Sequence, residues 1–224
     1  MTATTRQNAG HATFTGPAGT IEALIDAPDG KVAGVAVVAH PHPLIGGNAE
    51  HKIPATLARL FQRHGWLAVR PNFRGVGGTE GKHDAGIGET EDLLAVIDAL
   101  RRDYPGAPLA LAGFSFGAFV HARVAQRLAE AGTAPACTIL VGIPSGQVKA
   151  QRFYDTPAVP RDALVIHGEQ DEVVELSAVL DWARPQRLPV VVLPGANHFL
   201  TGSFNAFSAV VARHLASLSE AASG

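Results

Sequence analysis

Residues 109–128 read LALAGFSFGAFVHARVAQRL, and the fold follows from them. The run 109–112 is apolar at every position, as in a strand buried on both faces of a parallel sheet. It meets Gly113-Phe114-Ser115-Phe116-Gly117, a G-x-S-x-G match, and a helical pattern starts at once, with Phe119, Val120, Val124 and Leu128 on one face. Strand, sharp turn and helix together are the setting of a nucleophile elbow. Glycines on both sides of the serine let strand and helix approach closely, and the Ser115 hydroxyl is pushed out above the sheet edge. The first turn of the helix offers N–H groups to a developing negative charge.

The flanking chain repeats this alternation. Residues 12–14 and 20–27, around Gly16-Pro17-Ala18-Gly19, predict an antiparallel hairpin at a sheet edge. Strands are predicted over 32–39, 66–73, 137–143, 164–167 and 190–193, and helices over 54–64, 89–102, 176–184 and 204–218. Residues 144–161 predict a loop with room for one helical turn. Strands alternating with helices imply right-handed crossovers and a mostly parallel sheet covered on both faces. The expectation is one α/β domain over residues 1–224, with 1–10 and 219–224 flexible. Ligands of such sheets bind beyond the carboxyl ends of the strands, where Ser115, the 40–48 loop, Asp171 and the His198 loop all fall.

Composition narrows the function. With 46 % hydrophobic and 17 % charged residues the chain is globular, and 224 residues suffice for one sizeable core. A net charge of −2 gives no reason to expect nucleic acid or an acidic membrane surface as a partner. The single cysteine, Cys137, sits in an apolar run and has no partner for a disulfide or a metal-site spacing. No stretch approaches the ~20 apolar residues of a membrane span. The start of the chain lacks the apolar core of a secretory signal, so a cytoplasmic protein is expected. Nothing in the sequence speaks to oligomeric state.

A serine hydroxyl is a weak nucleophile and needs a base that titrates near neutral pH, which points to histidine. Of ten histidines, His121, His167, His198 and His214 follow the serine. His121 lies on the helix after the elbow and precedes every candidate acid. His167 ends a strand and suits a local hydrogen bond, and His214 lies inside a helix. His198, in Gly195-Ala196-Asn197-His198-Phe199, is on a loop that can carry its ring across to Ser115. Asp171, a short turn after a strand end, is placed to orient that ring without taking its proton. Glu169 and Glu172 compete with it and read as solvated.

The tetrahedral intermediate needs two donors. One is the backbone N–H of Phe116. The other comes from the 40–48 loop, where Pro41 and Pro43 have no N–H and leave His42 or Leu44. Leu44, Phe114, Phe116 and Phe199 are the expected pocket walls. The loop 74–88 looks like a phosphate cradle at Gly75, Gly77, Gly78 and Gly81. Yet Glu80 breaks G-x-G-x-x-G, and Lys82 is followed by His83 rather than Ser or Thr. It reads instead as a structural loop shaping one wall of the site. His40 and His42 form an H-x-H pair without a third ligand, so no metal and no cofactor is expected.

Five motifs together resemble the α/β-hydrolase superfamily. They are His40-Pro41-His42-Pro43-Leu44, Asn72-Phe73-Arg74-Gly75-Val76-Gly77, Gly113-Phe114-Ser115-Phe116-Gly117, His167-Gly168-Glu169-Gln170-Asp171 and Gly195-Ala196-Asn197-His198. The resemblance covers about residues 20–215 and is closest to small lidless bacterial hydrolases akin to the dienelactone hydrolase group. It implies Ser115, Asp171 and His198 as a triad, and it favours His42, in the place after a His-Gly pair in many such enzymes, as the second oxyanion donor. The chain departs from that group in carrying serine rather than cysteine in the elbow, and Glu172 where many relatives have proline. Residues 144–161 are too few for a cap domain, so an open site is expected. The implied activity is hydrolysis of small-molecule carboxylic esters with small to medium acyl groups. Thioester or peptide hydrolysis with the same triad, and ligand binding without catalysis on this scaffold, are the alternatives.

Overall fold

Strands β3 (Gly34–Ala39), β5 (Leu109–Phe114) and β6 (Cys137–Val141) are buried at every residue, so they occupy the middle of a sheet covered on both faces. A computed structural model describes residues 10–149 and 152–221, the last three as backbone only. Of the ends expected to be flexible, 1–10 and 219–224, residues 1–9 and 222–224 lie outside the described residues, whereas Gly10 opens the first strand and 219–221 continue the last helix. Strands β1 (Gly10–Gly16) and β2 (Gly19–Asp26) alternate in burial and pair antiparallel, as a hairpin with one wet face does. The other strands are β4 (Trp66–Pro71), β7 (Gly146–Val148), β8 (Arg152–Tyr154), β9 (Leu164–Gly168) and β10 (Val190–Leu193). The helices are α1 (Lys52–Arg63), α2 (Ile87–Asp103), α3 (Phe116–Glu130), α4 (Leu176–Ala183) and α5 (Phe204–Ala221).

The main sheet has eight strands in the order β1-β2-β4-β3-β5-β6-β9-β10, parallel from β4 to β10. β2 runs antiparallel to β4 and attaches the hairpin at one edge. The chain winds from β3 outward to β4, then returns to lay β5 on the other side of β3. That reversal is the switch point at which open α/β sheets bind ligands. One apolar core lies under α2, α3 and α4, with Leu93, Ile97, Val120 and Val179 among its residues. The other lies under α1 and α5, around Leu57, Phe61, Phe207 and Val211.

Two expectations change. The strand expected from residue 32 begins at Gly34, where a Cβ would stand 2.5 Å from the Trp66 ring. Only glycine lets that ring close the lower edge of the sheet. The segment 144–161 is more than a loop: β7 and β8 pair as a short antiparallel hairpin, with Lys149 in a 3₁₀ turn after β7. Its anchors are long-range. Tyr154 packs 5.0 Å from Phe119, the Thr156 hydroxyl donates to Pro144 O at 2.5 Å, and Trp182 Nε1–H donates to Thr156 O at 3.1 Å. Among the described residues no helix is long and apolar enough to cross a membrane.

Candidate active site

Ser115 sits between β5 and α3 with φ 53° and ψ −121°, a conformation rare for any residue but glycine. The turn is over-determined. Ser115 N–H donates to Val141 O at 2.8 Å, and Ser115 O accepts from Ala118 N–H at 2.9 Å. A Cβ on Gly113 would stand 2.5 Å from Gly117 O, and one on Gly117 would stand 2.5 Å from Ala39 O and His40 O. The two glycines of the motif therefore allow α3 to be clamped between β5 and the end of β3.

His198 reaches Ser115 from the loop after β10. Its Nε2 lies 3.0 Å from Ser115 Oγ, and its Nδ1–H donates to Asp171 Oδ2 at 2.7 Å. The loop is held by Gln170 N–H donating to Ala196 O at 2.9 Å, across a contact so close that only glycine fits at position 168. The other oxygen of Asp171, Oδ1, accepts from the N–H groups of Val173 and Val174 at 2.9 and 2.8 Å. Burial pushes the Asp171 carboxyl up. The hydrogen bond and charge of His198, the Val174 N–H and the neighbouring His167 outweigh burial and hold it below its ordinary value. The structure thus brings Ser115, His198 and Asp171 into one hydrogen-bonded line.

The competing residues have other partners. Glu169 is exposed, and its carboxylate accepts from Gly195 N–H at 2.7 Å; Glu172 is exposed. His167 Nε2–H donates to Val174 O at 2.9 Å. His214 lies with Nε2 3.6 Å from Cys137 Sγ, and His121 is fully buried on α3.

The 40–48 loop arches over the start of α3. His40 Nδ1–H donates to Pro41 O at 2.7 Å, and His40 Nε2 accepts from Phe73 N–H at 2.9 Å. Burial pushes His40 down to about 4, so it stays neutral and ties the ends of β3 and β4 together. Gly47 lies against Pro41 O, closing the loop on itself. Within it, Leu44 N–H donates to His42 Nδ1 at 3.3 Å, while the His42 N–H has no acceptor among the described residues.

A small cleft of about 90 Å³ opens at Ser115, with Ile45, His51, Arg152, Val173 and Phe199 on its walls. Two expected walls are displaced. Phe114 is fully buried and lies beneath the site, 5.0 Å from the His198 ring and stacked 5.3 Å from His51. Successive strand residues face opposite ways, so the residue before an upturned serine points into the core. Leu44 is 70 % exposed and lies outside the cleft; its neighbour Ile45 takes the wall. Phe199 lines the cleft as expected, and Phe116 lines a cavity beside it. His51 and Arg152 were missed. His51 caps α1, three residues before the predicted helix start, and burial, then the charge of His198, hold it below its ordinary value. Arg152 lies in the segment read as a loop. Among the described residues no group of three His, Cys, Asp or Glu side chains is placed to hold a metal ion. A larger hollow of about 340 Å³ lies away from Ser115, where Glu22 and Asn72 bond each other.

A family model described as Thioesterase domain matches residues 56–183. The chain belongs to this family, within the α/β-hydrolase superfamily. It is similar over its whole fold to a lidless α/β serine hydrolase from Xanthomonas campestris, at 32 % identity, TM-score 0.83 and 96 % coverage of both chains. An α-β serine hydrolase homologue from Coxiella burnetii matches at 34 % identity and TM-score 0.80, covering 96 % of this chain and 100 % of that one. An uncharacterized protein of Rickettsia prowazekii is 30 % identical over 210 residues, 90 % of this chain and 87 % of the relative. Family membership places the chain among hydrolases, and its fold is of the lidless kind.

Proposed function

We propose that the protein is a serine hydrolase that cleaves carboxylic esters of small to medium acyl groups through an acyl-enzyme intermediate. The observation that carries this reading is the line Asp171–His198–Ser115, ending on a serine held in a strained turn. Ser115 Oγ attacks the ester carbonyl carbon as its proton passes to His198 Nε2. The carbonyl π electrons move to the oxygen, which the N–H groups of Phe116 and His42 stabilise. The engagement of Leu44 N–H with the His42 ring supports His42 over Leu44 as that donor. The oxyanion then collapses, the C–O bond to the alcohol breaks, and His198 gives its proton to the leaving oxygen. Water repeats the sequence on the acyl-enzyme and frees the acid and Ser115. Asp171 holds the tautomer and stabilises the imidazolium throughout.

Thioesters are the second reading, favoured by the family to which the chain belongs. The same steps serve, with a thiol as leaving group. The test is turnover of p-nitrophenyl esters of graded chain length and of the matching acyl thioesters, in wild type and Ser115→Ala. Loss of kcat in the variant on the order of 10⁶-fold is expected. Equal turnover in the two proteins would remove Ser115 as nucleophile and the reading with it.

A further inference from the structure

Beside the Ser115 cleft a second cavity of about 170 Å³ opens between residues 83–85 and β8. It shares His42 and Arg152 with the cleft, and His83, Phe116 and Tyr154 complete the walls that matter. Among the described residues no carboxylate lines it. Arg152 forms no ion pair among the described residues, and its Nε is buried without a hydrogen-bond partner. The carboxylate behind His83, that of Glu89, is fully buried and accepts from Asp84 N–H and Gly86 N–H at 2.9 Å each. The Arg152 hairpin is fixed from two sides. Lys149 N–H donates to Val173 O at 3.2 Å beside Asp171, and Tyr154 packs on Phe116 and Phe119.

A guanidinium carried on an anchored hairpin without a counter-charge, beside a reactive centre, is complementary to an anion. The geometry of the proposed reaction says which part of the substrate carries it. His198 protonates the leaving alcohol, so the alcohol departs on the Phe199 side, where a hollow of about 240 Å³ reaches His51 and Phe204. The carbonyl oxygen takes the Phe116 N–H, which leaves the acyl chain the cavity walled by Phe116 and His42. That cavity is well below the ~300–1,000 Å³ of a drug-sized ligand site and suits a short chain. We propose, resting on the ester-hydrolase reading, that this cavity is the acyl subsite and takes a short acyl group ending in a carboxylate, paired with Arg152.

The test compares monoethyl glutarate with ethyl pentanoate, which has a methyl group in place of the distal carboxylate. Both are followed in wild type, Arg152→Gln and Arg152→Lys by acid release in a pH-stat. Calorimetry measures glutarate binding to the same proteins, which needs no turnover. The charged-to-neutral ratio of kcat/KM is expected to fall about tenfold or more in Arg152→Gln and to recover in part in Arg152→Lys, with glutarate affinity falling in parallel. Turnover of both esters with an unchanged ratio, and glutarate binding equal in wild type and Arg152→Gln or absent from both, overturns the subsite and leaves the hydrolase reading standing. Glutarate binding that Arg152→Gln abolishes, without turnover of either ester, overturns the ester reading and leaves the subsite. Neither turnover nor binding in wild type overturns both.

Discussion

Asp171 and Glu89 are both buried carboxylates within 2.8 Å of an imidazole nitrogen, yet they are built for different work. Asp171 divides its two oxygens. Oδ1 takes two backbone N–H groups, and Oδ2 is left to His198 Nδ1 in a good hydrogen bond. Glu89 spends each oxygen on one backbone N–H, those of Asp84 and Gly86, and so closes the N-terminal turn of α2. His83 then meets Glu89 Oε1 2.8 Å away, but off the line of a hydrogen bond. The far nitrogen of His198 reaches a hydroxyl, whereas His83 faces a cavity without a nucleophile. A histidine beside a carboxylate is thus not in itself a base. What matters is an oxygen reserved for the ring and a reacting atom on the ring's other side.

The largest expected effect follows from that reserved oxygen. Asp171→Asn removes the charge that stabilises the His198 imidazolium and offers Nδ1 a side chain that no longer fixes the tautomer. A fall in kcat on the order of 10⁴-fold is expected with the fold retained, read from ester turnover and near-UV circular dichroism. A loss of only a few-fold would mean that Asp171 is a loop anchor like Glu89.

Glu89→Gln sharpens the contrast from the other side. The carboxamide has one acceptor oxygen and sets an NH₂ group against one of the two backbone donors. One buried N–H is then unpaired, at a cost of about 1–3 kcal/mol in urea unfolding. For a neutral ester, kcat is expected to change by less than tenfold. If kcat falls as far as in Asp171→Asn, the His83–Glu89 pair belongs to the chemistry and Glu89 is more than a cap of α2.

The parts of the site that were legible in the sequence are those whose geometry is local. Gly113 and Gly117 bracket Ser115 within five residues, and no other residue fits where they touch backbone oxygens. His198 and Asp171 lie in turns just after β10 and β9, so the strand pattern alone brought them to the edge that holds Ser115. The parts that were not legible depend on direction or on distant anchors. Which of Leu44 and Ile45 faces the cleft is set by one tight turn at Pro43–Ile45. Phe114 was placed in the pocket by proximity, though the strand pleat turns it under His198. Arg152 sits in a three-residue strand, too short to carry a period, whose place is fixed by Trp182 and Phe119 far along the chain.

A third histidine completes the comparison, because it has no carboxylate at all. His121 is fully buried on α3 against the backbone of Val37, and neither ring nitrogen makes a hydrogen bond of good geometry. Burial pushes its pKa from 6.5 down to about 3, so the ring is neutral in the folded protein. The unfolded chain takes up that proton near pH 6.5 and the folded one only near 3, so the unfolded state binds more protons across this window. The contribution to stability is therefore present above pH 6.5 and is lost as pH falls through the window, by about 1.4 kcal/mol per unit at most. Buried His40 and His42, each held down to about 4, add to the same slope. His121→Leu is expected to reduce the pH dependence of urea unfolding between pH 7 and pH 5 by up to one proton's worth and to leave the slope due to His40 and His42. An unchanged slope would mean that His121 finds a proton acceptor in the folded chain, and that a buried ring here does not need a carboxylate to be held charged.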